Sequence, residues 1–529
     1  MLSGGRRRPR ACAVGGVLVT LVTASCMVGP DYVRPEAPIA PSWIEVQPPA
    51  NPAANERWWE IFQDPVLTRL VDLAYKQNLS LRAIGLRVLQ AQARRAVTIG
   101  ELFPQEQTLS GSYTRSRRSQ NSALGATGPR TVSAWQAGFD AVWELDLWGK
   151  FRRAIEAADA DLLAAVATYD DVLVSLVAEV AATYVRIRVL DERLTVARDN
   201  VRVEHDSLDI ARARFDAGGT SELDVQQATA LLRDTEATIP QLGIQMRQAI
   251  DSLCVLLGTV PTELAAELGP PRHVPPVPAT VAVGIPTDLL RRRPDVRQAE
   301  QAAAAQSARI GVSVAELLPS FQLIGSIGLS SETAAKLFEG RSLEAAAGPA
   351  FNWPVLNYGR LINNVRLQDA TFQELAVDYA NTVLVAQREV EDALVGYLRG
   401  KEQLDRLTES VAAAKRAVDI SLIQYREGAT DFTSVLNTQQ AKLREEDLLA
   451  STGGSVVLSV IALNKALGGG WEIRNGQDFV PEQTREQMRA RTDWGGLLPP
   501  EKRQRDIEAA TEASGKSSRW LPSGWWPEQ

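Results

Sequence analysis

KFRRAIEAADADLLAAVATYDDVLVSLVAEVAATYVRIRVLDERLTVARDNVRVEHDSLDIARARFDA, residues 150–217, runs for 68 residues without a Gly or a Pro. Apolar residues recur along it in steps of three and four: Leu162, Val166, Tyr169, Leu173, Leu176, Val180, Tyr184, Ile187, Leu190 and Leu194. That spacing is a coiled-coil seam. At 1.5 Å per residue the helix is about 100 Å long, several times the length of a globular helix. A second stretch, Arg360 to Glu427, is also 68 residues long, holds only Gly396 and Gly400, and has no Pro. Tight breaks follow at Gly218-Gly219 and at Gly428, then returning helices over 221–257 and 431–467. Gly at such a break supplies the positive φ of a helix reversal. Shorter helices, 78–103 and 294–317, end before Pro104 and Pro319. One short and one returning helix laid end to end match a long one.

The two halves carry the same features in the same order. Gly100-Glu101-Leu102-Phe103-Pro104 corresponds to Ala315-Glu316-Leu317-Leu318-Pro319 at an offset of 215. Trp143 through Gly149-Lys150 corresponds to Trp353 through Gly359-Arg360, and Phe215 to Thr220 corresponds to Tyr425 to Thr430, both at an offset of 210. The chain is a tandem duplication. Repeat one spans 61–258 and repeat two 286–470, joined by the Pro-rich linker 259–285. A polar tail, 471–529, with Trp520, Trp525 and Trp526, is expected to hold little fixed structure.

Between the short and long helices of each half lie two strand-like segments: 107–117 and 131–147, then 320–330 and 347–357. Polar loops join them, Arg117 to Asn121 with Gly125 in the first half and a stretch with Glu332 and Gly340 in the second. Trp135, Ala137, Phe139, Ala141 and Trp143 alternate with Gln136, Gly138 and Asp140, the period of a strand with one apolar face. Strands of about 10 residues suit a tilted membrane crossing. Trp143, Trp148, Trp353 and Tyr358 fall where strand meets helix, at an interfacial belt. Four strands cannot close a barrel, since small ones use about 8, so oligomerisation is required.

The N-terminus reads as an address. Arg6, Arg7, Arg8 and Arg10 precede an apolar run, 11–25, too short for an ordinary spanning helix. The run ends Thr23-Ala24-Ser25-Cys26, small residues before a Cys, as in a lipoprotein signal, with Thr23 where Leu is usual. Residues 1–25 are therefore a signal peptide, Cys26 the lipidation site and 26–60 an extended lipidated segment. The plainer alternative is a secretion signal whose Cys is incidental. Removing four Arg takes the net charge from -7 to -11. An acidic chain has no basic surplus for phosphates, which argues against a nucleic-acid partner. Two His and three Cys, with no CxxC or HxxxH spacing, give no metal site or disulfide framework, and no cofactor motif is present. No other stretch of about 20 unbroken apolar residues appears, so entry into a bilayer would require a closed β-barrel.

Several local signatures join these features. They are Gly29-Pro30-Asp31-Tyr32 with Arg34-Pro35, Trp58-Trp59 with Phe62 and Asp64-Pro65, Trp143 to Lys150, and Arg292-Arg293-Pro294-Asp295-Val296 with Ala299-Glu300. Together they resemble the TolC-like outer-membrane efflux factors, in their lipoprotein branch, over residues 26 to about 470. The resemblance implies a mainly α fold with a transmembrane β part: a homotrimer whose antiparallel coiled-coil α-barrel continues a 12-stranded β-barrel. It implies a channel in the outer-membrane lipid that docks a periplasmic membrane-fusion (adaptor) protein, fed indirectly by an inner-membrane pump. It places the adaptor-docking tip at Arg214, Phe215, Gly218, Thr220, Ser221, Tyr425, Gly428, Thr430 and Asp431. Where the family often has acids ringing the aperture, this chain has the neutral Ser434 and Asn437. With Asp224 these are the gate candidates, and Glu222 and Asp431 are the other nearby acids. Ser221 and Asp431 are N-cap positions, and capping alone would account for Ser221.

Enzyme readings find little purchase. Gly515-Lys516-Ser517 lacks the rest of a phosphate loop, and His205 and His273 have no nucleophile beside them. Glu445-Glu446 and Asp170-Asp171 read as solvated helix faces, and Cys254, between Leu253 and Val255, as a buried apolar residue. No catalytic residue is assigned. The competing readings are a channel for type I protein secretion and a periplasmic coiled-coil adaptor lipoprotein. An adaptor would carry one hairpin rather than two.

Overall fold

A computed structural model describes residues 27–45, 56–117, 119, 131–270, 273–278 and 292–498. The signal peptide, Cys26, the loop residues Arg118, Gln120, Asn121 and Gly125, and the tail beyond 498 lie outside the described residues. In chain order the main elements are α1 (Pro65–Gln77), α2 (Leu79–Gly100), β1 (Glu106–Arg117), β2 (Thr131–Leu145), α3 (Lys150–Asp216) and α4 (Glu222–Leu256). Then come α5 (Pro294–Ala315), β3 (Ser320–Ser331), β4 (Leu343–Asn352), α6 (Arg360–Arg426), α7 (Phe432–Ala466) and α8 (Glu482–Arg491). The duplication is visible in the lengths: α3 and α6 have 67 residues each, α4 and α7 have 35 each, and α2 and α5 have 22 each. β4 starts and stops some four residues before the expected 347–357, because the chain turns away from the sheet at Trp353-Pro354.

The chain divides into two compact units. The first holds residues up to 35, 89–165 and 299–379, and contains the sheet. Its strands run antiparallel in the order β1-β2-β3-β4. Register fixes two faces. Leu109, Phe139, Ile327 and Ala345 lie side by side on one face, joined by Tyr113, Trp135, Trp143, Leu323, Leu343 and Phe351. The other carries Ser110, Gly138, Gly328 and Glu344, with Thr108, Ser112, Gln136, Asp140, Gln322 and Ser326, interrupted only by Val132, Val142, Ile324 and small residues. The repeat persists in detail. The Trp143 indole donates to the Leu102 carbonyl at 3.2 Å, and Trp353 donates to Leu317 at 3.1 Å. Those pairs reproduce the sequence offsets of 210 and 215.

In the same unit the segment after Cys26 is strapped down. The buried Arg153 guanidinium donates to Val28 O at 3.2 Å and to the Asp31 carboxylate at 2.8 Å. Gly29, at φ +92°, lies so close to Gly311 that a Cβ would come within 2.4 Å of its Cα. Arg34 pairs with Glu300. The Gly-Pro-Asp-Tyr and Ala-Glu signatures are thus two sides of one contact.

The second unit holds 36–88, 166–298 and 380–498 of the described residues. Along α3 the expected seam is buried from Tyr169 to Leu194, while Leu162 and Val166 are half-buried. Gly396 and Gly400 in α6 stand where Ser459 and Val456 of α7 approach closely enough to exclude a Cβ without movement. Among the described residues α7 is the one helix long and apolar enough to cross a membrane, at mean hydropathy 1.4 over its best window, of which 44% is buried. Its Val456, Val457, Val460 and Leu463 are buried in the protein. Arg293 of the Arg-Arg-Pro motif is buried, donating to Ala466 O at 2.8 Å, to Asp295 at 2.6 Å and to Glu389 at 2.8 Å. Cys254 is fully buried and its Sγ accepts from Thr262 N at 3.4 Å.

Two expectations are corrected here. The start of the tail is ordered: 471–498 forms two 3₁₀ turns and α8, because Arg474 pairs with the fully buried Asp170 and stacks on Trp471 and Phe479. Phe479 in turn packs edge-on to Tyr169 at 5.1 Å. Asp170 is therefore no solvated residue. Neither is Glu446, which is 11% exposed, faces Lys415 at 3.2 Å and Lys442 at 3.7 Å, and accepts from Asn200 at 2.8 Å.

Candidate functional site

The two long helices end on the same device. Gly218 (φ +72°) and Gly428 (φ +75°) take the left-handed conformation that reverses the chain. Gly219 N donates to Arg214 O at 2.7 Å, and Ala429 N donates to Gln424 O at 2.8 Å, closing each helix end with a Schellman bond. Asp431 then caps α7, its carboxylate accepting from Ser434 N at 3.3 Å. Ser221 occupies the same position before α4, but its side chain makes no capping bond. Capping therefore does not account for Ser221.

The turns are chemically unequal. At the first, Arg214 donates to the Tyr425 carbonyl and to Gly219 O, at 3.1 Å for the latter, and lays its guanidinium 4.6 Å from the Tyr425 ring centre. The Asp224 carboxylate takes hydrogen bonds from the Thr220 hydroxyl and, at 3.1 Å, from the Tyr425 hydroxyl. Tyr425 is 1% exposed, and burial pushes its hydroxyl above the usual tyrosine range. It packs edge-on to Phe432 at 5.3 Å, over a small core of Leu208, Ala211, Ala228, Leu232 and Val435. Arg214, Thr220, Asp224 and Tyr425 thus form one latch tying the first turn to the second. A charged hydrogen bond of this kind is worth about 1.5–3 kcal/mol.

At the second turn Thr430 bonds Ser434 at 2.9 Å, the repeat equivalent of Thr220 with Asp224, but with no charge. Asn437 is exposed one turn further along α7, and Phe215, the equivalent of Tyr425, is 43% exposed. Glu222 and Asp431 are also exposed. The structure therefore gathers Arg214, Thr220, Asp224 and Tyr425 and leaves Phe215, Gly218 and Asn437 apart.

A further group lies higher in the coiled coil. Glu204 of α3 is 2% exposed and accepts from the Thr235 hydroxyl at 3.0 Å through one oxygen, while its other oxygen has no hydrogen-bond partner. Burial pushes its carboxyl up to about 7, against the weaker pull of Thr235 and Lys442. Nearby, Gln439 donates to Ser207 at 2.6 Å, and Lys442 donates to Asn200 at 3.2 Å. A lone Glu within a long polar-apolar repeat carries no sequence signal of burial, so this group escapes detection before the helices are packed.

Comparison with known proteins places these features. The family model for outer membrane efflux protein matches residues 70–259 and 285–469, one block per repeat. Nodulation protein T of Rhizobium leguminosarum bv. viciae is 30% identical over 462 residues, covering 87% of this chain and 93% of its own. The pyoverdine export outer membrane protein OpmQ of Pseudomonas putida is 32% identical over 451 residues, covering 82% and 94%. Among solved structures, the outer-membrane channel OprN superposes with a TM-score of 0.79 at 32% identity, over 84% of this chain and all of that one. The open-state outer membrane channel MtrE of Neisseria gonorrhoeae gives 0.75 at 25% identity, over 84% and 99%.

Proposed function

The chain belongs to the outer membrane efflux protein family and is an outer-membrane efflux channel, and we propose that it acts as a lipid-anchored homotrimer that passively conducts small molecules delivered by an inner-membrane pump through a periplasmic adaptor. One observation carries the assembly: a four-stranded sheet with one apolar face whose outer edges, on β1 and β4, carry no further strand among the described residues. Open edges cannot sit in lipid, and three copies bring twelve strands. Native mass spectrometry in detergent should find trimers, and a stable monomer would overturn the assembly. The two-repeat chain with two helical hairpins and a sheet favours this duct over an adaptor. A protein-secretion duct is distinguished by deletion: loss of the channel should sensitise cells to small toxic compounds and leave the secreted proteins unchanged.

The adaptor docks on the turns, where the exposed Phe215 and Leu223 offer apolar contacts beside Gly218, Ser221, Gly428, Thr430 and Asp431. The constriction lies at the latch, with Ser434 and Asn437 supplying neutral groups and Asp224 a carboxylate already engaged. Asp224→Asn with Tyr425→Phe removes the Asp224 charge and the Tyr425 hydroxyl bond to it while keeping the ring, the Arg214 contacts and the helix caps. Single-channel conductance in planar bilayers should rise several-fold. An unchanged conductance in a trimeric, folded variant would place the constriction elsewhere.

The anchor is Cys26, acylated after removal of residues 1–25. Acyl chains contribute about 0.8 kcal/mol per buried CH₂, and two or more hold a protein on a membrane. Cys26→Ser should lower the amount recovered in the outer membrane and leave the conductance of inserted trimers unchanged, because the barrel is a second anchor. Mass spectrometry finding a free N-terminus at another residue would sink this assignment.

A further inference from the structure

β1 is exposed along its whole length and β4 along nearly all of it, with Leu109 at 85% and Phe351 at 70% the most exposed large apolar side chains at the two edges. We infer that β4 of one copy pairs antiparallel with β1 of a second copy in one defined register, the one that sets Phe351 opposite Leu109 of the partner subunit. The inference rests on the trimer reading and adds to it the alignment of the seam.

Alternation removes half of the registers. Side chains on adjacent strands share a face with the residues directly opposite them, so the run Leu109, Phe139, Ile327, Ala345 stays on the apolar face. A symmetric closed barrel must return from β4 to β1 on that face. Phe351 can therefore stand opposite Gln107, Leu109, Gly111 or Tyr113 of the partner subunit, but not opposite Ser110 or Ser112, which lie on the polar face.

The duplication narrows the rest. Within one chain the first repeat already meets the second at β2–β3, where Trp143 faces Leu323. Carried over by the offsets of 210 and 215, the same seam between copies would set Trp353 opposite residue 108 and Phe351 opposite residue 110. The hairpins show that this transfer is good to one residue. Glu106 facing Val142 predicts Phe321 facing Asn352, whereas Phe321 faces Phe351. Only the two flanking registers satisfy alternation, with Phe351 opposite Leu109 or opposite Gly111.

Strand tilt separates them. With Phe351 opposite Leu109, Ala345 faces the partner subunit's Arg115, so the ladder advances by 115 - 109 = 6 residues in four strands. At about 3.3 Å per residue and about 4.8 Å between strands, that is a tilt of roughly 46°. The alternative advances by 8 residues and tilts by roughly 54°, well beyond the 35–45° of membrane barrels. Side chains agree. The favoured register covers Phe351 with Leu109 and sets Ala347 beside Tyr113, large against large where both are bare and small against large elsewhere. The alternative leaves Phe351 against Gly111.

The test is cysteine pairing on the polar face, in the full chain with Cys254 left in place. Ser110→Cys with Ala350→Cys, oxidised in the outer membrane, should yield a covalently closed trimer on non-reducing gels. Ser112→Cys with Ala350→Cys, two residues out of register and so about 7–8 Å apart rather than about 5 Å, should yield little. Ser112→Cys with Gln136→Cys, directly opposite within one chain, shows that oxidant reaches this face. A stronger cross-link from the Ser112 pair overturns the register. Trimers by native mass spectrometry with neither pair linked between copies overturn the β4–β1 seam. Absence of trimers altogether overturns the assembly itself, a separate outcome.

Discussion

Replacing Asp170 by Asn should release the segment 471–498 from the helices, raising its cleavage by protease roughly hundredfold while the rest of the chain stays intact. Asp170 is fully buried, accepts from Arg474 through both oxygens, one at 3.1 Å, and has Arg297 at 3.6 Å. Burial raises its carboxyl from the usual range and the two guanidiniums pull it down, so burial is the stronger effect. Removing one member of a buried pair typically costs about 3–5 kcal/mol, because the partner is left desolvated and uncompensated. Here Arg474 is 17% exposed and Arg297 is 35% exposed, so the lower end applies. About 3 kcal/mol is about two decades in the equilibrium between docked and undocked segment. Asp170→Leu with Arg474→Met should recover most of the loss, since an apolar pair of similar volume is often neutral. Proteolysis no faster in Asp170→Asn than in the parent would mean that the aromatic contacts of Phe479 and Trp471 hold the segment alone.

That pair also shows where sequence reading stops. Long-period features were legible: seams of three and four, Gly at reversals, and the offsets of 210 and 215 placed α3, α6, the turns and the four strands to within a few residues. Each is set by local backbone preference or repeated twice, so each can be read from one chain. Asp170-Asp171 and Glu445-Glu446 look identical to solvated pairs, and their burial depends on what is packed across from them. Asp170 finds Arg474, 304 residues away, and Glu446 finds Lys415, Lys442 and Asn200. Composition likewise made 471–529 one polar tail, although 10 residues of it form α8 and Arg485 within that helix is 6% exposed. The turns were located correctly, but the latch was not. The sequence sets the acid Asp224 and its neutral repeat equivalent Ser434 alike among the gate candidates, but only packing shows that Tyr425 holds the first while the second bonds within its own turn.

The same distinction between long-period signal and cross-helix chemistry gives the pH dependence. Glu204 is the carboxyl of the coiled coil pushed up to about 7, where the unfolded chain titrates near the ordinary 4.5. Between these values the folded protein keeps a proton that the unfolded chain releases. The stability it contributes is therefore fully present below about pH 4.5 and is lost as pH rises through 7. Above 7 the helices α3, α4 and α7 hold a buried charge whose second oxygen has no partner. Lys442, across from it, is already bonded to Asn200 and paired with Glu446, and Asp234 and Glu236 add like charge from α4. Glu204→Gln keeps the acceptor for Thr235 and removes the charge. Its stability should lie within about 1 kcal/mol of the parent's at pH 5 and exceed it at pH 8 by about 3 kcal/mol, from about 1.36 kcal/mol per pH unit across the gap from 4.5 to 7. Other carboxylates titrate in both proteins, so the difference between the two isolates Glu204. Helix melting followed by circular dichroism in detergent at pH 5, 6, 7 and 8 measures it. A gap between variant and parent that does not change with pH would show that Glu204 is charged throughout, stabilised by Lys442. A gap that widens toward acid would reverse the sign and refute the burial argument.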